Sequence, residues 1–319
     1  MTHSALAPEE VARLKKAATA ASLATATVMI GLKVGAWAIT DSISVLTSMM
    51  DSILDFSVGL MNFVAVRKAL SPANRFHRFG FGKVEPLAVL AEAVFLFGVA
   101  IMIIIEAIDR LRHPHPISHA ELGAWAMAAV IVLTIGLLIY QRHVIRKTGS
   151  LVVQADAIHY AADVMIHVGI IFSLLLSDLA GVFWVDSAFA CGVAFYLVWN
   201  AKTILSESVG ILLDGELPDN ERHKIRDLAL SHPEVKGVHD LRTRSAGPQK
   251  FIQLHVEMNP NLSLRDAHRY TEETIDLILA AYPDAEVQIH EEPVGMPRHR
   301  SWCAEAGPII PGQYAGPKD

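Results

Sequence analysis

Two cysteines in 319 residues exclude a disulfide framework and any all-thiolate metal centre. Cys191 lies in an apolar run and Cys303 in a stretch rich in Pro and Gly, so they form no spaced pair. There is no excess of basic charge: 27 Lys and Arg face 33 Asp and Glu, a formal net charge of −6 with no basic patch, which argues against nucleic acid as a partner. No HExxH motif is present, so a zincin-type hydrolytic centre is excluded. The opening MTHSALAPEEVARLKK is polar and mixed in charge, which does not fit a cleavable signal peptide. No repeat recurs at a period of 20–50 residues.

What the chain has in quantity is apolar residues: 52% of the total, with a mean hydropathy of +0.35. They concentrate between residues 17 and 213. Six segments there, 17–39, 43–66, 87–108, 122–140, 157–179 and 185–205, approach the length of about 20 residues that crosses a bilayer. The second and fifth are the least hydrophobic because they carry acids. The expected organisation is a polar N-terminal segment (1–13), a six-helix transmembrane domain (14–210), a soluble domain (211–295) and a disordered tail rich in Pro, Gly and small residues (296–319).

Positive charge sorts to one side of the six segments. Arg13, Lys15 and Lys16 precede the first; Arg67, Lys68, Arg75, Arg78 and Lys83 separate the second and third; Arg142, Arg146 and Lys147 separate the fourth and fifth. The connections after the first and fifth segments carry none, and only Arg110 and Arg112 run against the pattern. Both termini are therefore expected on the cytoplasmic side.

Beyond residue 213 the pattern is that of a small α+β domain. A helix is expected over 218–231, N-capped by Asp219 or Asn220. Strands are expected over 237–243, 251–258 and 286–290. The second alternates Ile252, Leu254 and Val256 with Gln253, His255 and Glu257. A second helix is expected over 263–281, capped by Ser263. The order is αββαβ, a two-layer arrangement.

The chemistry lies in the acids. Asp51 and Asp55 stand four residues apart in SVLTSMMDSILDFSVGLMNFVAV, and His159 and Asp163 stand four apart in ADAIHYAADVMIHVGIIFSLLL. That spacing places each pair on one helix face. Ionisable groups in hydrocarbon are costly and mark functional sites. If the two helices face each other, three carboxylates and one imidazole converge, a ligand set suited to tetrahedral Zn²⁺. Three carboxylates together in a low dielectric cannot all stay ionised without a cation, so metal entry must expel protons. Such a site can carry metal one way and protons the other. Mutual pairing of these residues, or pairing with Lys33, is the structural alternative. An intramembrane metalloenzyme needs an open coordination position and a base, which four protein ligands do not leave, so no enzyme activity is expected. A membrane metal sensor is the other alternative.

DSxxD at 51–55, HxxxD at 159–163, FGxGKxE at 79–85 and HDLRTR at 239–244 together resemble the cation diffusion facilitator family, and within it the bacterial zinc/iron exporters. The resemblance covers residues 16–293. It implies a homodimer in the bacterial inner membrane, with six spans and a cytoplasmic metallochaperone-like domain in each protomer. It also implies proton-driven efflux of Zn²⁺, or in some members Cd²⁺, Fe²⁺ or Mn²⁺. Asp51, Asp55, His159 and Asp163 fall on the family's transport site. His239, His255, His268 and His290, with Glu292 where relatives carry Asp, fall on a binuclear zinc site at the cytoplasmic dimer interface, where Zn²⁺ has a structural or regulatory role. Lys83 falls on a residue that pairs with an Asp, here Asp214. A loop site of one Asp and two His in relatives corresponds here to Asn74, His77 and Phe81, of which only His77 is a good ligand.

Overall fold

The computed structural model describes residues 8–40, 43–112, 120–180, 184–247 and 249–295. The expected tail, 296–319, and His113, His115, His119, His299 and Cys303 lie outside them. The chain divides between Leu212 and Leu213 into two compact units.

Among its described residues the first unit contains six long helices: α1 (Pro8–Thr40), α2 (Ile43–Ala69), α3 (Val84–Arg112), α4 (Ala120–Thr148), α5 (Leu151–Ala180) and α6 (Trp184–Leu212). Each contains one of the six apolar segments. Among the described residues, three stretches, Glu9–Gly35, Val84–Asp109 and Ala188–Leu212, are long and apolar enough to cross a membrane by length and composition alone. α3 packs on α6, α1 on α2, and α5 on both α4 and α6. The contacts are built from small and branched residues: Ala88, Val89, Ala93, Leu96 and Ala100 of α3 meet Val193, Ala194, Leu197 and Ala201 of α6. Small residues let helix backbones approach where lipid removes the hydrophobic drive between helices. Gly169 of α5 is such a place, since a Cβ there would lie 2.2 Å from the Phe189 ring of α6. The outward faces stay apolar, with Val132, Met102, Ile139 and Phe195 each about two-thirds exposed or more, as a lipid-facing surface requires.

α1 begins at Pro8, so residues 8–13, read as a separate N-terminal segment, are helical, and Lys15 sits within the helix. Lys15 is 3% exposed. Its Nζ lies 2.9 Å from Glu85 Oε2 of α3, and Ser150 Oγ donates to Glu85 Oε1 at 2.6 Å. A residue that reads as a flanking positive charge is thus half of a buried ion pair.

The second unit runs α7 (Asp219–Leu230), β1 (Gly237–Ala246), β2 (Gln249–Met258), α8 (Leu264–Ala281) and β3 (Ala285–Pro293), the expected αββαβ order. The sheet order is β1-β2-β3, with β1 antiparallel and β3 parallel to β2. The alternation of β2 puts Ile252, Leu254 and Val256 into a core with Ile225 of α7 and Ile278 of α8. Each such side chain contributes about 1.5–3 kcal/mol. Ser263 caps α8, accepting from the Asp266 amide at 3.1 Å. The expected cap of α7 is corrected: Pro218 is the N-cap residue and no side chain caps it. Asp219 is already the first helical residue, and its Oδ1 accepts from Arg222 Nη1 at 3.0 Å.

Candidate metal centres

Among the described residues, two groups of potential ligands have one donor atom from each member within 4.8 Å of the others: Asp55, His159 and Asp163 in the helical unit, and His239, His255 and Glu292 in the second.

In the first group, α2 supplies Asp55, and α5 supplies His159 and Asp163 from successive turns. His159 Nε2 lies 2.9 Å from Asp55 Oδ1 and 3.7 Å from Asp163 Oδ2. His159 is 5% exposed. It is packed edge-on by Phe95 and Tyr160, with ring centroids 6.0 and 5.7 Å away. The carboxylates are more open, their side chains 19% and 28% exposed. One wall is therefore fixed by aromatic packing while the other side reaches solvent-accessible space. Asp51 is on α2 one turn before Asp55, but its side chain lies outside the described residues. Lys33 of α1 donates to Ser52 Oγ at 2.7 Å. His167 donates from Nδ1 to the Asp163 carbonyl at 2.6 Å, which makes it part of the helix wall.

The second group is set by strand register. His239 opposes His255 across β1 and β2, and His255 opposes His290 across β2 and β3. One row of imidazoles therefore crosses the sheet face opposite the core, with ring centroids 5.3 and 4.8 Å apart. Glu292 lies two residues on from His290. Its oxygens lie 2.9 Å from His255 Nδ1 and 3.2 Å from His239 Nε2. Burial alone would push the Glu292 carboxyl up, but the His255 hydrogen bond and the charges of His239 and His290 hold it below its ordinary value of 4.5. His290 is farther from Glu292, at 3.7 Å, and its side chain is mostly exposed. His268 is exposed on α8 and is not part of the group.

Two further acids stand at this face that the sequence pattern does not mark as ligands. Glu257 Oε1 lies 3.3 Å from His239 Nδ1, and the space it uses exists because Gly237 opposite has no side chain. Asp240 Oδ2 lies 3.6 Å from His255 Nε2. The register shifts between His239 and Arg242, and Asp240 has φ +47°, a bulge conformation that Asp tolerates better than most residues. Arg242 clamps Asp240 through two donors at 2.9–3.0 Å. The HDLR part of the motif is therefore a bulge that aims a carboxylate at the histidine row.

The loop between α2 and α3 is organised without a ligand cluster. Asn74 Oδ1 accepts from the Phe76 and His77 amides, each at 2.9 Å. The His77 ring packs on Phe81 at 4.6 Å, and Lys68 Nζ stands 3.7 Å over the Phe81 ring. Lys83 donates to the Leu212 carbonyl at the C-terminus of α6 at 3.2 Å, a favourable place for a cation. Within the second unit, Asp214 accepts from Arg244 Nη1 at 3.2 Å.

The helical unit also holds buried polar groups that the sequence reading passed over. Asn62 of α2 donates to Glu92 of α3 at 3.0 Å, and Asp156 of α5 accepts from Gln141 of α4 at 2.6 Å and from Ser22 of α1. The available signal was Glu85 and Glu92 seven residues apart, and so on one face of an otherwise apolar helix.

Comparison with known proteins agrees with this division. Residues 19–213 match the model of the cation efflux transmembrane domain, and residues 217–294 that of the cation efflux protein cytoplasmic domain. The cation-efflux pump FieF of Shewanella oneidensis is 41% identical over 279 residues, covering 88% of this chain and 94% of that protein. FieF of Yersinia enterocolitica is 38% identical over 296 residues, covering 92% and 98%.

Proposed function

The chain belongs to the cation efflux family, the cation diffusion facilitators, and from that premise we propose that it exports divalent metal ions, Zn²⁺ foremost, in exchange for protons. The observation that carries the reading is the convergence of Asp55, His159 and Asp163 from two helices of an apolar bundle. One imidazole nitrogen and carboxylate oxygens are a good Zn²⁺ set, with Asp51 one turn from Asp55 as the fourth ligand. Cd²⁺, Fe²⁺ and Mn²⁺ are the alternative cargoes.

The exchange follows from the donor atoms. The hydrogen that joins His159 Nε2 to Asp55 lies where the ion must bind, so binding displaces it. Protonation from the opposite side of the membrane then weakens the ligands and releases the metal. Alternation between the two access states makes these competing events a transport cycle. With four protein ligands on the ion, no position remains for a catalytic water.

The protein is proposed to work as a homodimer in the bacterial inner membrane, with six spans in contact with lipid and both termini in the cytoplasm. In the cytoplasmic domain, His239, His255, His290 and Glu292 are proposed to bind Zn²⁺ as a structural or regulatory ion, with His268 contributing at the dimer interface. Metal held there favours the dimer by mass action. Lys83 and Asp214 are proposed, from the family resemblance, to form a charge pair.

The test is Zn²⁺ flux in proteoliposomes under an imposed pH gradient, with the other metals in parallel. Flux that follows the proton gradient is expected. Zinc binding with no flux in any gradient would instead identify a membrane sensor.

A further inference from the structure

Asn62, Glu92 and Gln141 are at most 1% exposed, and Asp156 2%. Asn62 Nδ2 donates to Glu92 Oε2 at 3.0 Å. Among the described residues, the other oxygen of each partner, Asn62 Oδ1 and Glu92 Oε1, has no hydrogen-bond partner, nor does Gln141 Oε1. Buried acceptors are rarely left this way. An ionised carboxylate beside a primary amide leaves two acceptors and no hydrogen to place between them. A protonated carboxyl has that hydrogen: its O–H donates to the amide oxygen while the amide N–H donates to its other oxygen, a closed acid–amide pair.

Among the described residues, no other donor is placed to serve. Lys15 is held by Glu85. Gln141 Nε2 is held by Asp156 at 2.6 Å and Ser22 at 3.0 Å. The titratable groups that face Glu92 are Asp156, His159 and Tyr160, all on α5. α2 faces it with Asn62, and α6 packs on α3 through Val193, Ala194 and Leu197. Asp156 has the Ser22 hydroxyl and the Gln141 amide on one oxygen, as suits the ionised member of two neighbouring acids, and this leaves the proton to Glu92.

We infer that Glu92 is a proton-binding site distinct from the metal ligands, a carboxylic acid closed on Asn62 that gives up its proton when a divalent ion enters the adjoining site. The inference rests on the proton-exchange reading above. Phe95, one turn on from Glu92 along α3, packs against the His159 ring at 6.0 Å, so an added double positive charge at the Asp55–His159–Asp163 group favours the ionised carboxylate. The O–H bond at Oε1 then breaks, its electron pair stays on the carboxylate, and the proton passes to a base in solution. A proton carried here is exchanged without occupying a metal ligand.

The test uses the full-length protein in nanodiscs. Zinc is titrated calorimetrically in buffers of differing ionisation enthalpy, which counts protons released per ion. Glu92→Gln keeps the paired geometry with Asn62 but has no acidic proton. It should bind zinc with unchanged stoichiometry and release about one proton fewer per ion. An infrared difference spectrum of the unsubstituted protein should show a carboxylic-acid carbonyl band lost on zinc addition, and that band should shift in Asn62→Ala. An unchanged proton count in Glu92→Gln overturns the proposal. So does a zinc-sensitive acid band indifferent to Asn62→Ala, a result that stands even where Glu92→Gln does not fold. An unsubstituted protein that releases no protons at all refutes the exchange reading itself, before any variant is compared.

Discussion

His159 Nε2 of α5 lies 2.9 Å from Asp55 Oδ1 of α2, so one nitrogen closes the gap between the two helices that carry the acid motifs. The contact is a hydrogen bond. The atom that makes it is the atom a metal would need. Asp163, 3.7 Å from the same nitrogen, completes a triangle of donor groups that the proposed exchange would use for proton and metal in turn.

Asp55→Ala should therefore remove transport without unfolding the protein. His159 loses its partner across the helix gap but stays packed by Phe95 and Tyr160. Zinc flux should fall by about 100-fold or more, since even outer-shell changes cost 10–100-fold in metal sites. Near-normal flux from well-folded Asp55→Ala protein would remove Asp55 from the ligand set.

His159→Asp should redirect selectivity. The proposed ligand set loses its one nitrogen and becomes all oxygen, which favours larger ions with flexible coordination over Zn²⁺. Competition fluxes should move toward cadmium or manganese. A metal ranking identical to that of the unsubstituted protein would place selectivity in cavity shape and not in ligand type.

The buried pair of Lys15 and Glu85 should behave differently from a surface pair. Removing one partner leaves an uncompensated charge, with a cost of about 3–5 kcal/mol. Glu85→Leu alone should be strongly destabilised in denaturant unfolding, and adding Lys15→Met should restore much of the loss. Equal destabilisation by the single and the double change would mean that apolar packing, not charge, governs the position.

How much of this was legible in the sequence depends on range. The αββαβ order was readable because β2 alternates strictly and Ser263 announces α8. Asp55, His159 and Asp163 were readable because charges inside apolar runs stand out at helical spacing. Glu85, Glu92 and Asp156 are more deeply buried than Asp55 and Asp163, yet little in the sequence pattern marks them. Their partners, Lys15, Asn62 and Gln141, come from other helices, and periodicity does not report contacts between helices. His268 shows the opposite limit: the family pattern includes it, yet within one chain α8 holds it apart from the histidine row of the sheet.

Glu292 gives the cytoplasmic domain an acid-side dependence. A carboxyl held below its ordinary 4.5 by neighbouring histidines contributes its full stabilisation above that pH. It loses the contribution as pH falls through the lowered folded-state value. In metal-free full-length protein, hydrogen exchange at β2 amides, corrected for intrinsic rates, should accelerate through this window. Glu292→Gln should be less protected above 4.5 and converge with the unsubstituted protein below the window. Parallel profiles throughout would show that Glu292 is uncoupled from the histidine row.

The loop between α2 and α3 gives a last contrast between two neighbours, His77 and Phe81. Asn74 spends its side-chain oxygen on the Phe76 and His77 amides, which leaves His77 as an isolated imidazole packed on Phe81. One imidazole cannot hold Zn²⁺ tightly without partners. Phe81 also receives Lys68 over its ring, an attraction of about 0.5–1 kcal/mol at an exposed site. It thus ties the end of α2 to the turn that starts α3. On this basis His77→Ala should leave zinc stoichiometry unchanged and transport close to normal, while Phe81→Ala should slow transport more. Zinc counted by elemental analysis, with flux measured in parallel, separates the two. A drop of one ion per protomer in His77→Ala, accompanied by lost flux, would instead make the loop a working metal site.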